Sequence, residues 1–179
     1  MPAEARRDAI VRATLPLLRE RGAAVSTRQI AEAAGIAEGT IFRVFPDKDA
    51  VVRAAVELAL DPEPTEEALA AIDTSAAFER QLADAVEILQ RRLADIWALF
   101  SVLGPSDTPA PSPPPDSPAL TALFAPHAGC LRTDARTAAR RFRAVVLALS
   151  HPMLIADEPP SPEEIVELVL HGIGTKGSA

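Results

Sequence analysis

The chain has one cysteine, no tyrosine and only 4% aromatic residues among its 179. A single thiol, Cys130, excludes an internal disulfide framework and a cysteine-rich zinc site, and is expected to be inert and half-buried. The three histidines, His127, His151 and His171, lack metal-ligand spacing, and no glycine-rich loop of the phosphate-cradling kind is present, so neither metal nor cofactor is expected. Long hydrophobic runs are missing too. No charged-apolar-small leader opens the sequence, and the longest apolar stretch, Ala144 to Ala156, contains His151 and Pro152 and is too short to span a bilayer. The expectation is a soluble cytoplasmic protein. With 48% hydrophobic residues the chain can build a real core.

The net charge of −7 would ordinarily argue against a nucleic-acid partner, but it is unevenly placed. Residues 1–60 hold nine Lys/Arg against eight Asp/Glu, so they are positive by one and the remainder is negative by eight. A weakly basic head on an acidic body suits a protein whose head alone approaches phosphates, with two heads needed for useful affinity.

The most specific stretch is Thr27 to Pro46, TRQIAEAAGIAEGTIFRVFP. Ser26 can cap a helix, with Gln29 reaching back to complete a capping box. Ile30 and Ala34 then point inward, and Ala31 is small where a partner helix must come close. Gly35 falls where a helix end needs positive φ to reverse direction. Ile36 covers the crossing, and Ile41 and Val44 give a second helix a buried stripe. Phe45-Pro46 closes that helix, because a residue before proline is pushed out of the α region, and Asp47 can cap the next one through KDAVVRAAVELAL. Two short helices joined by a glycine turn form a helix-turn-helix, a DNA-binding motif.

Around the motif the periodicity is helical throughout, predicting an all-α protein: a three-helix head over 1–60 and a helical body over 61–179. A first helix runs from about Ala5 to Arg21, interrupted by Pro16 with a kink near Arg12. Thr65 to Ile72 is a short helix and Phe78 to Leu103 a long one. Gly104 to Pro118 holds seven of the chain's 17 prolines and reads as a loop. One or two turns at Ala119 to Ala125 precede a long helix from Leu131 to Leu154, whose arginines 132, 136, 140, 141 and 143 form a solvated or salt-bridged face in preference to a basic patch. The last helix is capped by Ser161, Pro162 and Glu164 and stopped by Gly172, with apolar residues through Ile173 on more than one side.

The run AEAAGIAEGTIFRVFPDKDAVV, set between a helix ending at Gly22 and one opening at Asp47, resembles the N-terminal domain of the tetracycline-repressor (TetR) family over roughly the first third of the chain. The resemblance implies a ligand-responsive repressor that binds a palindromic DNA operator as a homodimer. Groove contacts are then expected from Ala37, Gly39, Thr40, Phe42 and Arg43, with Arg28 as a further base contact. Thr27 and Lys48, in first turns of their helices, are expected to position phosphates. The chain departs from the family in lacking tyrosine at positions 42 and 44 and in carrying Glu38 where lysine is frequent. In the body the resemblance implies a pocket for a small apolar effector, with Trp97, Phe100, Phe124, His127 and Met153 as lining candidates. It also implies a four-helix dimer seam, for which Phe142, Val146, Leu149, Ile165, Leu168 and Val169 are the candidates. The alternatives are a dimeric helical interaction module without specific DNA binding and a small hydrolase built on His127 and Cys130.

Overall fold

The computed structural model describes residues 2–103, 115–155 and 158–171, and these are helical with no strands. The helices are α1 (Ala3–Arg21), α2 (Thr27–Ala33), α3 (Glu38–Ile41), α4 (Lys48–Leu60), α5 (Glu63–Ala70), α6 (Phe78–Val102), α7 (Pro118–Phe124), α8 (Ala135–Leu149) and α9 (Pro162–His171), with 3₁₀ turns at Gly22–Ala24 and Ala125–Cys130. Among the described residues, 2–61 and 96–103 make one compact unit, and 62–95, 115–155 and 158–171 make a second. No helix among them is long and apolar enough to cross a membrane.

The first unit closes around α1 packed on α4, with α2 and α3 against one end. Its core is aliphatic: Ile10, Leu18, Ile30, Ile41, Val51 and Val52 are at most 1% exposed. Each such side chain contributes about 1.5–3 kcal/mol. Pro16 does not interrupt α1, which continues through it. Buried Ile10, Val11, Thr14 and Leu18 hold the helix down on both sides of the proline, and the Thr14 hydroxyl donates to the Ile10 carbonyl at 2.8 Å. The unit is not confined to residues 1–60, because Leu99 and Leu103 at the end of the long α6 complete the same core. Gly22, at φ +58, lies so close to the Val102 carbonyl that a Cβ there would collide with backbone.

The second unit is built on α6 residues up to Asp95 together with α5, α7, α8 and α9. Phe142, Leu82, Leu120, Val86, Val146 and Ile165 are its centre, each at most 1% exposed. Phe124 packs edge-on to Phe78 and Phe142, with ring centroids 5.6 and 5.5 Å apart. The unit is tied by polar contacts across the chain: the Gln90 amide donates to the Pro160 carbonyl at 2.9 Å, and Glu66 accepts from the Ala119 N–H at 3.0 Å. Arg136 and Arg140 both pair with Asp116, so the α8 arginines there form an ion cluster, as expected. The Arg136 guanidinium holds the Asp116 carboxyl below its ordinary range. Burial lowers the Arg143 guanidinium.

The ends of α5 and α8 differ from the sequence expectation. α5 spans Glu63–Ala70, with Pro64 inside its first turn, a position where the missing N–H costs nothing. α8 begins at Ala135, because the Asp134 side chain accepts from the Thr137 N–H at 2.9 Å, and ends at Leu149 ahead of His151-Pro152. The expected loop at 104–114 and the stop at Gly172, with Ile173 beyond it, lie outside the described residues.

Candidate nucleic-acid interface

The interface is built from locally specified parts. The Ser26 hydroxyl accepts from the Gln29 N–H at 3.3 Å, while the Gln29 side chain accepts from the Ser26 N–H at 2.9 Å, so both halves of the capping box are formed. At the far end of α2, the Ile36 N–H reaches the Ala31 carbonyl at 3.0 Å and the Gly35 N–H reaches Glu32 at 3.1 Å. With Gly35 at φ +65, this is the paired hydrogen-bond pattern of a Schellman turn. Ala31 is 3% exposed and Ile41 is fully buried, so α3 leaves the turn anchored on its inner side. α3 is shorter than the sequence suggests: α-helical geometry ends at Ile41, and turns carry the chain to Phe45, whose N–H returns to the Ile41 carbonyl at 2.8 Å. The Asp47 carboxylate then accepts from the Ala50 N–H at 2.7 Å and starts α4.

Ala37, Glu38, Gly39 and Arg43 are exposed, as is Arg28 one helix earlier, whereas Thr27, Thr40 and Lys48 are half-buried. Phe42 is 52% exposed and Phe45 3%, so the two aromatics, alike in sequence, have separate roles. The Arg7 guanidinium lies 5.0 Å above the Phe45 ring, a contact between α1 and the motif that no local spacing signals. Gly39 needs neither positive φ nor room inside the protein: nothing lies within 4 Å of where its Cβ would stand. That contrasts with Gly35, whose backbone conformation demands glycine. The Thr27 hydroxyl donates to the Glu38 carboxylate at 2.5 Å, joining the first residue of α2 to the first of α3. That bond occupies the Thr27 hydroxyl proton; the phosphate-positioning role expected of Thr27 rests on the backbone N–H groups of the first turn of α2.

Residues 10–55 match the sequence model for bacterial regulatory proteins of the tetR family. Those residues are a tetR-family DNA-binding domain. The fold of the chain extends that likeness beyond the head. A tetR-family transcriptional regulator from Streptomyces coelicolor superposes with a TM-score of 0.59 at 20% identity, over 94% of this chain and 79% of that one. The multidrug-binding protein EbrR, solved with imidazole, gives 0.55 at 23% identity over 97% of both chains. RolR, solved with resorcinol, gives 0.54 at 22% identity, over 97% of this chain and 90% of that one. No curated protein sequence is similar enough to count as a relative. A head of this family on a body of this fold supports a DNA-binding transcriptional regulator.

The regulator's body distributes the remaining candidates differently from the sequence expectation. Trp97 and Phe100 fall in the first unit, while Phe124 and His127 fall in the second. Met153 is 88% exposed in the turn after α8. The His127 ring stacks on Phe78 at 3.8 Å, and no hydrogen bond joins it to Cys130, which is exposed where a half-buried thiol was expected. The hydrolase pair is thus not formed. Of the dimer candidates, Phe142, Val146 and Ile165 are internal core at no more than 1% exposure, whereas Leu149, Leu168 and Val169 are half-exposed. Helical spacing marks a residue as apolar-facing but does not say whether its own chain or a partner covers it. A groove of about 460 Å³ runs along α8 and α9, lined by Leu131, Val145, Leu168 and Val169 with Arg132 and Arg141 at its sides.

Proposed function

We propose that this regulator is a ligand-responsive repressor that binds a palindromic operator as a homodimer. The observation that carries the reading is the exposed side of α3. Gly39 stands in open space with no conformational need for glycine, next to an exposed Phe42 and Arg43. A glycine that the fold does not require suits a backbone that must come close to something outside it, and the major groove is wide enough to take the helix. In this reading Thr40 and Arg43 contact base edges, Phe42 packs on sugar or a thymine methyl, Ala37 lies against the groove wall, Arg28 adds a base contact, and Lys48 positions a phosphate.

Dimerisation follows from the smallness of one head, whose few contacts reach useful affinity only when doubled. The half-exposed apolar residues Val145, Leu149, Leu168 and Val169 of α8 and α9 are the surface we assign to the seam. The division of labour is a head over residues 1–60, its core completed by the end of α6, and a body over the rest of 61–179, acting on DNA in the cytoplasm. EbrR holds imidazole and RolR holds resorcinol. The Phe78, Phe124 and His127 rings in this body suit a similarly flat, largely apolar effector. Release of DNA then requires that the effector bind the DNA-competent and DNA-incompetent states with different affinity.

Selection from a random-sequence duplex pool tests the proposal. The full chain should enrich two inverted half-sites whose centres lie about one helical turn of DNA, or a multiple, apart. Absence of any enriched sequence at low salt would favour the interaction-module alternative, and an enriched single half-site would exclude the homodimer.

A further inference from the structure

Glu38 is an exposed carboxylate on the side of the head that the proposed function turns toward DNA. An untethered glutamate beside a duplex would swing away from the phosphates. This one is held: one carboxylate oxygen accepts the Thr27 hydroxyl at 2.5 Å, across eleven residues and from a different helix. No other hydrogen bond or ion pair among the described residues engages it, which leaves the second oxygen open. A fixed group that can only accept hydrogen bonds has one good counterpart on the major-groove edge. Guanine shows two acceptors there, thymine an acceptor and a methyl, and adenine an acceptor beside its amino group, whereas cytosine shows its N4 amino donor alone.

Resting on the DNA-binding reading of the head, we propose that Glu38 is a specificity-determining residue that selects cytosine at one position of each operator half-site. Thr27 is its positioning residue: the hydroxyl fixes the carboxylate where the cytosine amino group can reach it. The same charge repels phosphates in other registers, so it weakens binding to unrelated DNA while it sharpens binding to the operator.

The test uses the full chain and its selected operator, with each half-site base pair replaced in turn and affinity read by fluorescence anisotropy. Replacing the contacted cytosine by thymine should cost the wild type about tenfold. Glu38→Ala should erase the discrimination at that position and leave the preferences at others intact. Glu38→Gln, which can accept and donate, should move the preference there toward adenine. Thr27→Val should weaken the cytosine preference and Thr27→Ser should retain it, a pattern that loss of folding would not produce. The proposal is overturned if Glu38→Ala tightens operator and scrambled duplexes by the same factor with every base preference unchanged, since the carboxylate would then act only on phosphates. A wild type that distinguishes no duplex from any other would instead sink the DNA-binding reading, and this inference with it.

Discussion

Each of the two units is held by bonds of a different reach. In the head, a cap and a turn whose hydrogen bonds span no more than five residues set the angle between α2 and α3. In the body, the corresponding ties run across 53 residues from Glu66 to Ala119 and across 70 from Gln90 to Pro160. The turn that presents the surface assigned to DNA is thus specified by chemistry that a short segment carries, on a core completed by more distant residues. The body acquires its shape only when distant segments have met.

Removing a body core residue should produce the largest effect and keep the units distinguishable. Phe142→Ala should cost about 3–5 kcal/mol in urea denaturation, because it empties a site at the centre of the aromatic cluster. Leu168→Ala, on a half-exposed position of the same unit, should cost much less stability and instead shift the monomer–dimer equilibrium in sedimentation. Equal loss of stability in the two variants would erase the distinction between core and seam. In the head, Gly35→Ala forces an L side chain into the left-handed region and should cost about 1–2 kcal/mol. Gly39→Ala should leave stability unchanged or slightly raised and weaken operator binding, since its site is open within the protein.

A matched pair of caps sharpens the comparison further. Ser26 with Gln29 and Ser161 with Glu164 are both formed capping boxes, so Ser→Ala at either position should cost about 1 kcal/mol. Only Ser26→Ala should also lower operator affinity, as read by anisotropy. The smallest effect is expected from acid. Asp116, Asp134 and Asp73, all in the second unit, are held below their ordinary range, chiefly by side-chain hydrogen bonds from Arg136, Thr137 and Ser75 respectively. Depressed carboxylates contribute stability above the unfolded value near about pH 4 and lose it as pH falls through the lower folded value. The body should therefore weaken below about pH 4, and Asp116→Asn should flatten part of that slope in acid titrations followed by circular dichroism.

This difference in reach also decides what could be read from the residues alone. Ser26, Gln29, Gly35, Asp47, Ser161 and Glu164 act within a few positions of themselves, and the structure places each where its spacing predicts. Pro152 is an equally local stop signal, and α8 ends ahead of it at Leu149 although the apolar period runs on to Leu154. The aromatic candidates were of another kind. Nothing local separates Trp97 and Phe100, at the end of α6 that joins the head unit, from Phe124, which joins the body. Likewise no spacing says that Phe142 is covered by its own chain while Leu168 is not. The bond from Thr27 to Glu38 depends on the crossing of two helices, so it became visible only with the fold. It changes the meaning of a residue that departs from the family pattern.

The most direct test of the central claim, that the exposed side of α3 reads the operator, is a salt titration of operator binding by the wild type and by the double variant Thr40→Ala/Arg43→Ala. The variant should lose about 2–5 kcal/mol of affinity for the operator, keep most of its affinity for unrelated DNA, and retain its helix content and dimerisation. Unchanged operator affinity in that variant would contradict the account.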